Sequence, residues 1–387
     1  MRNWLLPEYL EDVLPAEAIR MEHLRRQLLD LFHVHGYQLV IPPLLEYLES
    51  LTVGAGHDLD LATFKVVDQL TGRLMGVRAD ITPQTARIDA HLLDRQGVTR
   101  LCYADSVLRT QPDGLAQTRQ PLQVGAELFG HAGIESDVEI QCLLVQALQL
   151  ASVPSVLVDF SHVGIFRSLV RCAGIGKELE ADLYCGLQNK DKSALAEMLH
   201  GMEPVIQQAL LALIDLNGGI EVLRAAQIQL PQYAEIKLAL QDLQHAAQQL
   251  EMLGANVSFD LAELRGYHYH SGLVFAAYTD GCAGPLAMGG RYDEVGEAFG
   301  RARAATGFSL DLRGLVTALP PAVIAEGIMA PYSDDAALRE KVSTLRISGE
   351  VVVVDLPGHE TYRAELHCNR VLVKKNDVWE VIPAVNT

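Results

Sequence analysis

Several things are scarce in this chain of 387 residues, and each scarcity removes a class of protein. No uninterrupted apolar run approaches the roughly 18 residues that a membrane-spanning helix needs, so no span is expected. The opening MRNWLLPEYLEDVLP carries Glu8, Glu11 and Asp12 inside its apolar stretch, unlike a secretory signal, and a cytoplasmic location is expected. Basic residues are few: 31 Lys and Arg against 49 Asp and Glu give a net charge of −18. Phosphate backbones are held by basic surfaces, so the balance argues against a large nucleic-acid footprint while leaving room for a local basic groove. The six cysteines, Cys102, Cys142, Cys172, Cys185, Cys282 and Cys368, form no C-x-x-C and no metal-ligand spacing with histidine. They read as reduced thiols, and neither a metal nor another cofactor is expected. With 49% hydrophobic and 21% charged residues, what remains is a globular chain long enough for one large or two to three ordinary domains.

The pattern along the chain mixes helices and strands. Over 16–35, Ile19, Leu24, Leu28, Leu31 and Phe32 recur near helical spacing; Gly36 stops the helix, and a strand over 37–41 ends at Pro42-Pro43. Strands over 63–67 and 74–78 form a hairpin turning at Leu70-Thr71-Gly72, after which Thr82 is a plausible N-cap and Pro83 the first helical residue. Strands over 101–109 and 120–129 flank a loop opened by Pro112-Asp113-Gly114. A helix over 134–151, a strand over 155–160 and a helix over 163–173 follow. Residues 176–254 are rich in Leu, Ala and Gln and read as helical throughout. Strands are expected up to 257–259 and over 273–278, with a turn at 281–284, and a helix over 306–319. The tail reads as a helix over 337–345 and strands over 351–355, 370–374 and 378–382, the last two joined at Asn376-Asp377. The division expected is 1–175 with 255–320 as the core, 176–254 as a helical insertion, and 321–387 as a small C-terminal α/β unit.

The stretch 259–293 concentrates the chemistry. Arg265, Tyr267, His268, Tyr269 and His270 make a poor core and a good pocket wall. Gly289-Gly290 lets backbone approach something closely, beside Arg291, Tyr292 and Asp293. The two clusters face each other across the expected hairpin; the plain alternative is a wet turn between strands. Arg78 and Asp80 sit at a strand-to-helix corner, either pointing into a cleft or pairing with each other. Gln123 and Glu127 are four apart and share one strand face. A buried Glu127 beside Val124 and Leu128 is costly unless partnered, which favours a pocket over a core.

These residues carry a family resemblance. RGYHYHSG is similar to the histidine signature RG-x-D-Y-Y of histidyl-tRNA synthetases, and AMGGRYD to their second signature, AGGRYD. His268 stands where that family has Asp, and His270 where it has the second Tyr. The helix, strand and prolines before Tyr47 resemble motif 1 of class II synthetases, which implies a homodimer through 36–47. RADIT resembles RPEGT, with Asp80 in the place of the Glu that holds the histidine ammonium. The 101–129 hairpin resembles motif 2: Arg109 keeps the α-phosphate arginine, Gln111 replaces a glutamate, and Gln123 and Glu127 match the histidine-contacting pair. In 306–319, which resembles motif 3, the γ-phosphate arginine position is Gly314, and Asp311 adds negative charge where a triphosphate would lie. Arg313 is one residue away, which turns a helical side chain by roughly 100°. Each lost charge-assisted contact costs ~1.5–3 kcal/mol, so ATP activation is expected to be close to abolished.

The resemblance implies an α+β fold: a class II aminoacyl-tRNA synthetase-like antiparallel sheet flanked by helices, fed by hairpins over 63–78, 101–129 and 273–288. Over 5–320, and weakly in the tail, the chain resembles the regulatory subunits of short-form ATP phosphoribosyltransferase. That family implies a non-catalytic chain partnered by a separate catalytic subunit, a homodimer within a hetero-oligomer, feedback by histidine, and no tRNA. The implied ligand residues are Asp80, Thr82, Arg109, Gln123, Glu127, Arg265, Tyr269, His270, Gly289, Gly290 and Tyr292. Asp80, Gln123 and Glu127 suit an ammonium, Arg265 a carboxylate, and Tyr269 with His270 an imidazole slot, with the histidines titrating the site near pH 6–6.5. A residual histidyl-transferring enzyme, a histidine sensor for another partner, and a self-satisfied polar network stay open as alternatives.

Overall fold

The computed structural model describes residues 5–52, 56–112, 118–267, 269–320 and 326–384. His268 and most of the 112–114 loop therefore lie outside the described residues. The chain divides into two compact units, Met1–Pro320 and Pro321–Thr387.

The strands, in chain order, are β1 Gln38–Leu39, β2 Leu45–Tyr47, β3 Phe64–Val67, β4 Leu74–Val77, β5 Thr99–Ser106, β6 Leu122–Phe129, β7 Leu157–His162 and β8 Asn217–Gly218. They continue as β9 Asn256–Asp260, β10 Leu273–Tyr278, β11 Ala287–Arg291, β12 Ala305–Asp311, β13 Gly327–Pro331, β14 Val352–Asp355, β15 Cys368–Lys375 and β16 Val378–Pro383. Nine of them form one sheet in the order β1-β5-β6-β12-β11-β10-β7-β9-β8. Only the β1–β5 and β7–β9 pairs are parallel; the other neighbours run antiparallel.

Strand alternation gives this sheet two unlike faces. Val124, Ala126, Leu128, Phe160 and Phe308 point to one side, into a core shared with the helices Pro15–Val34, Ile134–Leu150 and Ala234–Met252. Leu24, Leu28 and Phe32 supply the first helix's buried stripe, and the Phe32 and Phe308 rings meet edge-on at 5.9 Å. Ile19, expected on that stripe, is 72% exposed, and Met21 takes the inward position. On the other face the register lines up Glu127, Gly307, Gly290, Val274 and Ser161 in one row. Gly125, Ser309, Met288, Ala276 and Asp159 form the next row. Small residues on the central strands leave this face hollow.

Three expectations need correction. The 63–78 hairpin forms as β3 and β4 but does not feed the main sheet; with β2 it makes a separate three-stranded sheet. The outer edge of β5 is already taken by β1, and the hairpin meets the chain beyond β5 through an isolated bridge from Thr63 to Arg109 and through Arg78, whose carbonyl accepts from the Leu108 amide at 3.0 Å. Residues 306–319 are not one helix: β12 occupies the first half, and the helix Leu312–Ala318 follows. Phe308, Leu312 and Leu315 fit a helical period as well as the strand-plus-helix arrangement, and pairing to β6 and β11 decides for the strand. Residues 176–254 hold five helices but also β8, which pairs with β9. Leu183, Leu195, Leu210, Leu213 and Leu243 from these helices join the same core as the main sheet.

In the second unit the order is β14-β13-β15-β16, with β13 parallel to both neighbours and β15–β16 an antiparallel hairpin. Asn376 and Asp377 turn it with φ of 46° and 60°, the double left-handed geometry of a tight hairpin. The helix Ala336–Ile347 seals the unit by setting Leu338 and Val342 against Ile328, Ala330 and Val352. Strand β13 was not anticipated, because GIMAP is short and ends in proline.

Phe308 is 2% exposed, on β12 beneath Phe32 of the first helix. Phe308→Ala is expected to destabilise the first unit by about 3–5 kcal/mol, measured by denaturant unfolding; a loss below about 1 kcal/mol would contradict this packing.

Candidate functional site

The hollow face of the sheet holds a cleft of ≈ 250 Å³. That lies just below the roughly 300–1,000 Å³ of sites for drug-sized ligands, and suits something of amino-acid size. Of the eleven residues expected from the sequence, Asp80, Thr82, Arg109, Glu127, Arg265, Tyr269, His270, Gly289, Gly290 and Tyr292 line it. Gln123 does not line the cleft; it stands behind Asp80.

The corner at Asp80 is held from two sides. Asp80 Oδ1 accepts from the Thr82 amide at 2.9 Å and from Gln123 Nε2 at 2.8 Å, while Gln123 Oε1 accepts from the Ile81 amide at 2.9 Å. The corner ion pair between Arg78 and Asp80 does not form. Arg78 is buried and pairs with Asp105 at 2.7 Å, donating also to the Pro42 and Ser106 carbonyls. Thr82 is not a side-chain cap either. It is the first residue of the helix Thr82–Arg87, and its hydroxyl turns to Glu127 Oε1 at 3.1 Å and to the Tyr103 hydroxyl at 3.1 Å.

Glu127 is 1% exposed, and hydroxyls surround it. Tyr103 donates at 2.9 Å and Thr82 at 3.1 Å to Oε1, and the Tyr292 hydroxyl lies in close contact with Oε2. Burial pushes its carboxyl up to about 8; the hydrogen bonds from Tyr292 and Tyr103 oppose the rise and the nearby Asp80 charge adds to it. Gly307 is what gives this carboxyl its place: a Cβ there would stand 1.6 Å from Glu127 Oε2.

The two signature segments do meet. The Ser271 amide donates to the Arg291 carbonyl at 2.7 Å, and the Asp293 amide to the Ser271 hydroxyl at 3.0 Å. Tyr269 stacks on Tyr292 with ring centres 5.1 Å apart, and its hydroxyl is buried with no hydrogen-bond partner among the described residues. His270 Nδ1 lies 3.2 Å from the Arg291 carbonyl oxygen, which makes it the protonated nitrogen. Desolvation holds this ring down to about 4, so His270 is neutral at pH 6–6.5 and does not provide the switch expected there. Tyr267 turns away from the cleft, stacking on Tyr184 and donating to Glu180 at 2.6 Å. Arg265, expected to supply a carboxylate fork, is half exposed at the rim and pairs with Glu263 at 3.1 Å. Arg109 donates to the Ala79 carbonyl at 3.3 Å.

Arg291 organises the site from behind. Its guanidinium donates to Asp137 at 2.8 and 3.0 Å, to Ser136, to the His131 and Gly133 carbonyls, and to Asp293. In the motif 3 region, Arg313 is buried and engaged with Glu11, through its carboxylate at 2.9 Å and its carbonyl at 3.2 Å. Asp311 caps the following helix, also accepts from the Leu122 amide, and is not among the residues lining the cleft.

Several lining or supporting residues were missed. Tyr103 pairs opposite Gly125 in the sheet, and only strand register reveals that it reaches Glu127. Asp159 and Ser161 come from β7, which pairs with β10. Their alternation with buried Val158 and Phe160 was the available signal.

A largely antiparallel sheet with helices on one face, and a cleft on the other closed by these two segments, defines a protein of the class II histidyl-tRNA synthetase type. The family model described as histidyl-tRNA synthetase matches residues 9–315. The crystal structure of histidyl-tRNA synthetase from Nostoc sp. shares the fold, with a TM-score of 0.78 at 19% identity over 96% of this chain and 92% of that one. Within this class the relationship is narrower. The ATP phosphoribosyltransferase subunit HisZ C-terminal domain matches residues 325–382. A Bacillus halodurans structure titled as an ATP phosphoribosyltransferase regulatory subunit/histidyl-tRNA synthetase superposes with a TM-score of 0.84 at 29% identity, covering 96% of this chain and 98% of that one. The ATP phosphoribosyltransferase regulatory subunit of Methylobacillus flagellatus is 63% identical over 99% of both chains. That of Nitrosospira multiformis is 53% identical over 100% of this chain and 99% of its own. The chain belongs to the family of ATP phosphoribosyltransferase regulatory subunits.

Because the Glu127 carboxyl is raised in the folded state, its share of stability is present at low pH and is lost as pH climbs from the unfolded value of 4.5 through about 8. The stability of Glu127→Gln relative to wild type should therefore grow across that window, by on the order of 1 kcal/mol per pH unit, and level off above it. Thermal unfolding of both proteins from pH 5 to 9 checks this, and a constant difference would contradict it.

Proposed function

We propose that this chain is the non-catalytic partner of a short-form ATP phosphoribosyltransferase catalytic subunit. In that role it is required for the first step of histidine biosynthesis and carries feedback by histidine. The observation that carries this reading is the end-to-end likeness to regulatory subunits, second unit included. In the division proposed here, residues 1–175 and 255–320 form the ligand-holding core, 176–254 an insertion, and 321–387 the small unit. The assembly is a cytoplasmic hetero-oligomer, allosterically regulated and without tRNA as a ligand. It is built on a homodimer through 36–47, where Leu39, Ile41, Leu44 and Leu45 expose apolar surface.

In this reading the cleft binds histidine without activating it. Asp80, with Thr82 and Gln123 behind it, takes the ammonium. Glu127, assigned to the ammonium by the sequence, sits against Tyr292, on which Tyr269 stacks, so in this reading it joins Tyr269, His270 and Tyr292 around the imidazole, and Gly289-Gly290 admit the ligand close to backbone. Arg109 and Arg265 stand at the carboxylate end. The synthetase ATP site is degenerate: Gly314 stands at the γ-phosphate arginine position, Gln111 replaces a glutamate, and Arg313 is committed to Glu11. Residual histidyl transfer is the second reading, favoured by Arg109 and Arg265 lining the same cleft.

Co-expression with a short-form catalytic subunit should give one complex on size exclusion, and that complex should hold the phosphoribosyltransferase activity; two separate peaks would sink the reading. ATP should bind the isolated chain at least about a thousandfold more weakly than it binds the related synthetases. Histidine-dependent exchange of pyrophosphate into ATP should be absent, and measurable exchange would instead favour the residual enzyme.

A further inference from the structure

Three buried carboxyls stand out among the described residues, and two are matched by arginines: Asp89 by Arg303 and Asp137 by Arg291. The third, Glu127, has only hydroxyl partners. Arg109 and Arg265 line the same cleft, and nearer the carboxyl each neighbouring element contributes a group. The corner before the helix gives Asp80, the helix gives Thr82, and β5 gives Tyr103. The segment after β11 gives Tyr292, and the loop after β9 gives Tyr269, whose phenol senses the Glu127 charge. Strands β12 and β11 present Gly307 and Gly290, which bring no charge. The charged neighbour, Asp80, has the same sign as an ionised Glu127. A carboxylate in such a place lacks the cation that offsets its lost hydration.

Two further groups line the same cleft with capacity to spare. The Tyr269 hydroxyl is buried and unpartnered among the described residues. His270 uses Nδ1–H on the Arg291 carbonyl, so its Nε2 keeps a free lone pair. The cleft thus offers an acid, a hydroxyl and an acceptor. An aromatic ring with one imine nitrogen and one N–H complements that set. Resting on the histidine-binding reading above, we infer that Glu127 meets the ligand as a carboxylic acid and passes its proton to the ring's imine nitrogen. The Glu127 O–H bond breaks, an N–H bond forms on the ligand, and the bound state is a carboxylate–imidazolium pair with no proton exchanged with solvent near neutrality. The cleft therefore selects a neutral nitrogen base and responds to pH on both sides of an optimum.

The proton count gives the signs. Below the ring's own pKa of about 6.5, ligand and Glu127 each arrive protonated, and binding must release one proton. Above about 8, both arrive without it, and binding must take one up. Affinity should fall about tenfold per pH unit on either flank. The test is calorimetry of histidine binding to the wild-type chain at pH 5 to 9, in buffers of differing ionisation enthalpy. Expected are proton release on the acid side, none near pH 7, uptake on the alkaline side, and an affinity maximum between. A second arm uses 1,2,4-triazole-3-alanine, whose ring takes no proton near neutrality. It should bind wild type at least tenfold more weakly than histidine at pH 7, and Glu127→Gln within about threefold of histidine. Histidine heat with a flat pH profile, or an equal preference for the triazole in wild type, overturns the proton transfer alone. No heat with histidine at any pH overturns the histidine reading and this inference with it.

Discussion

One buried guanidinium holds the site together. Arg291 reaches through the sheet to Asp137, Ser136 and the 131–133 turn, while its own carbonyl accepts from the Ser271 amide and His270 Nδ1. A single residue so fixes the end of β11 to the helix Ile134–Leu150 on the core side and ties the 265–272 loop to β11. Removing one partner of a buried pair costs about 3–5 kcal/mol, because the other charge is left uncompensated. With that anchor in place, Tyr292 can lie over Glu127 and Tyr269 can stack on Tyr292. The signature arginine is thus committed to contacts within the fold.

The cleft follows from where the sheet has no side chains. Gly307 makes room for the Glu127 carboxyl, and Gly290 for the His270 ring, whose Nδ1 would meet a Cβ at 2.9 Å. Polar groups drawn into that hollow are desolvated together, and desolvation acts in opposite senses on acids and bases. It keeps Glu127 protonated well above the usual carboxylate range and keeps His270 neutral well below the usual imidazole range. Both groups are therefore uncharged at neutral pH.

Two residues beyond the cleft, at the start of the helix Leu312–Ala318, are committed to structural contacts. Arg313, one residue from the position where the synthetases place a phosphate-binding arginine, is turned to Glu11 near the start of the chain. Asp311 serves as a helix cap rather than as a group in the cleft. Both are ordinary structural duties.

Local pattern determined part of this protein. The period-2 placement of Gln123 and Glu127, the two signature segments on either side of a hairpin, and Asp80 at a strand-to-helix corner are legible in the sequence, and of the eleven ligand residues implied by the family resemblance they carry, ten line one cleft. Local pattern did not determine that 306–311 is a strand, because its apolar spacing fits two periods and only pairing with β6 and β11 chooses between them. Nor did it reveal that the 63–78 hairpin stands outside the main sheet, since that depends on which edge is already occupied. Above all, the charge state of the cleft belongs to the tertiary structure. Asp80, Thr82, Tyr103, Tyr269 and Tyr292 reach Glu127 from segments far apart in the chain, and the loss of water they jointly impose, a long-range effect with no sequence signature, decides where the protons reside.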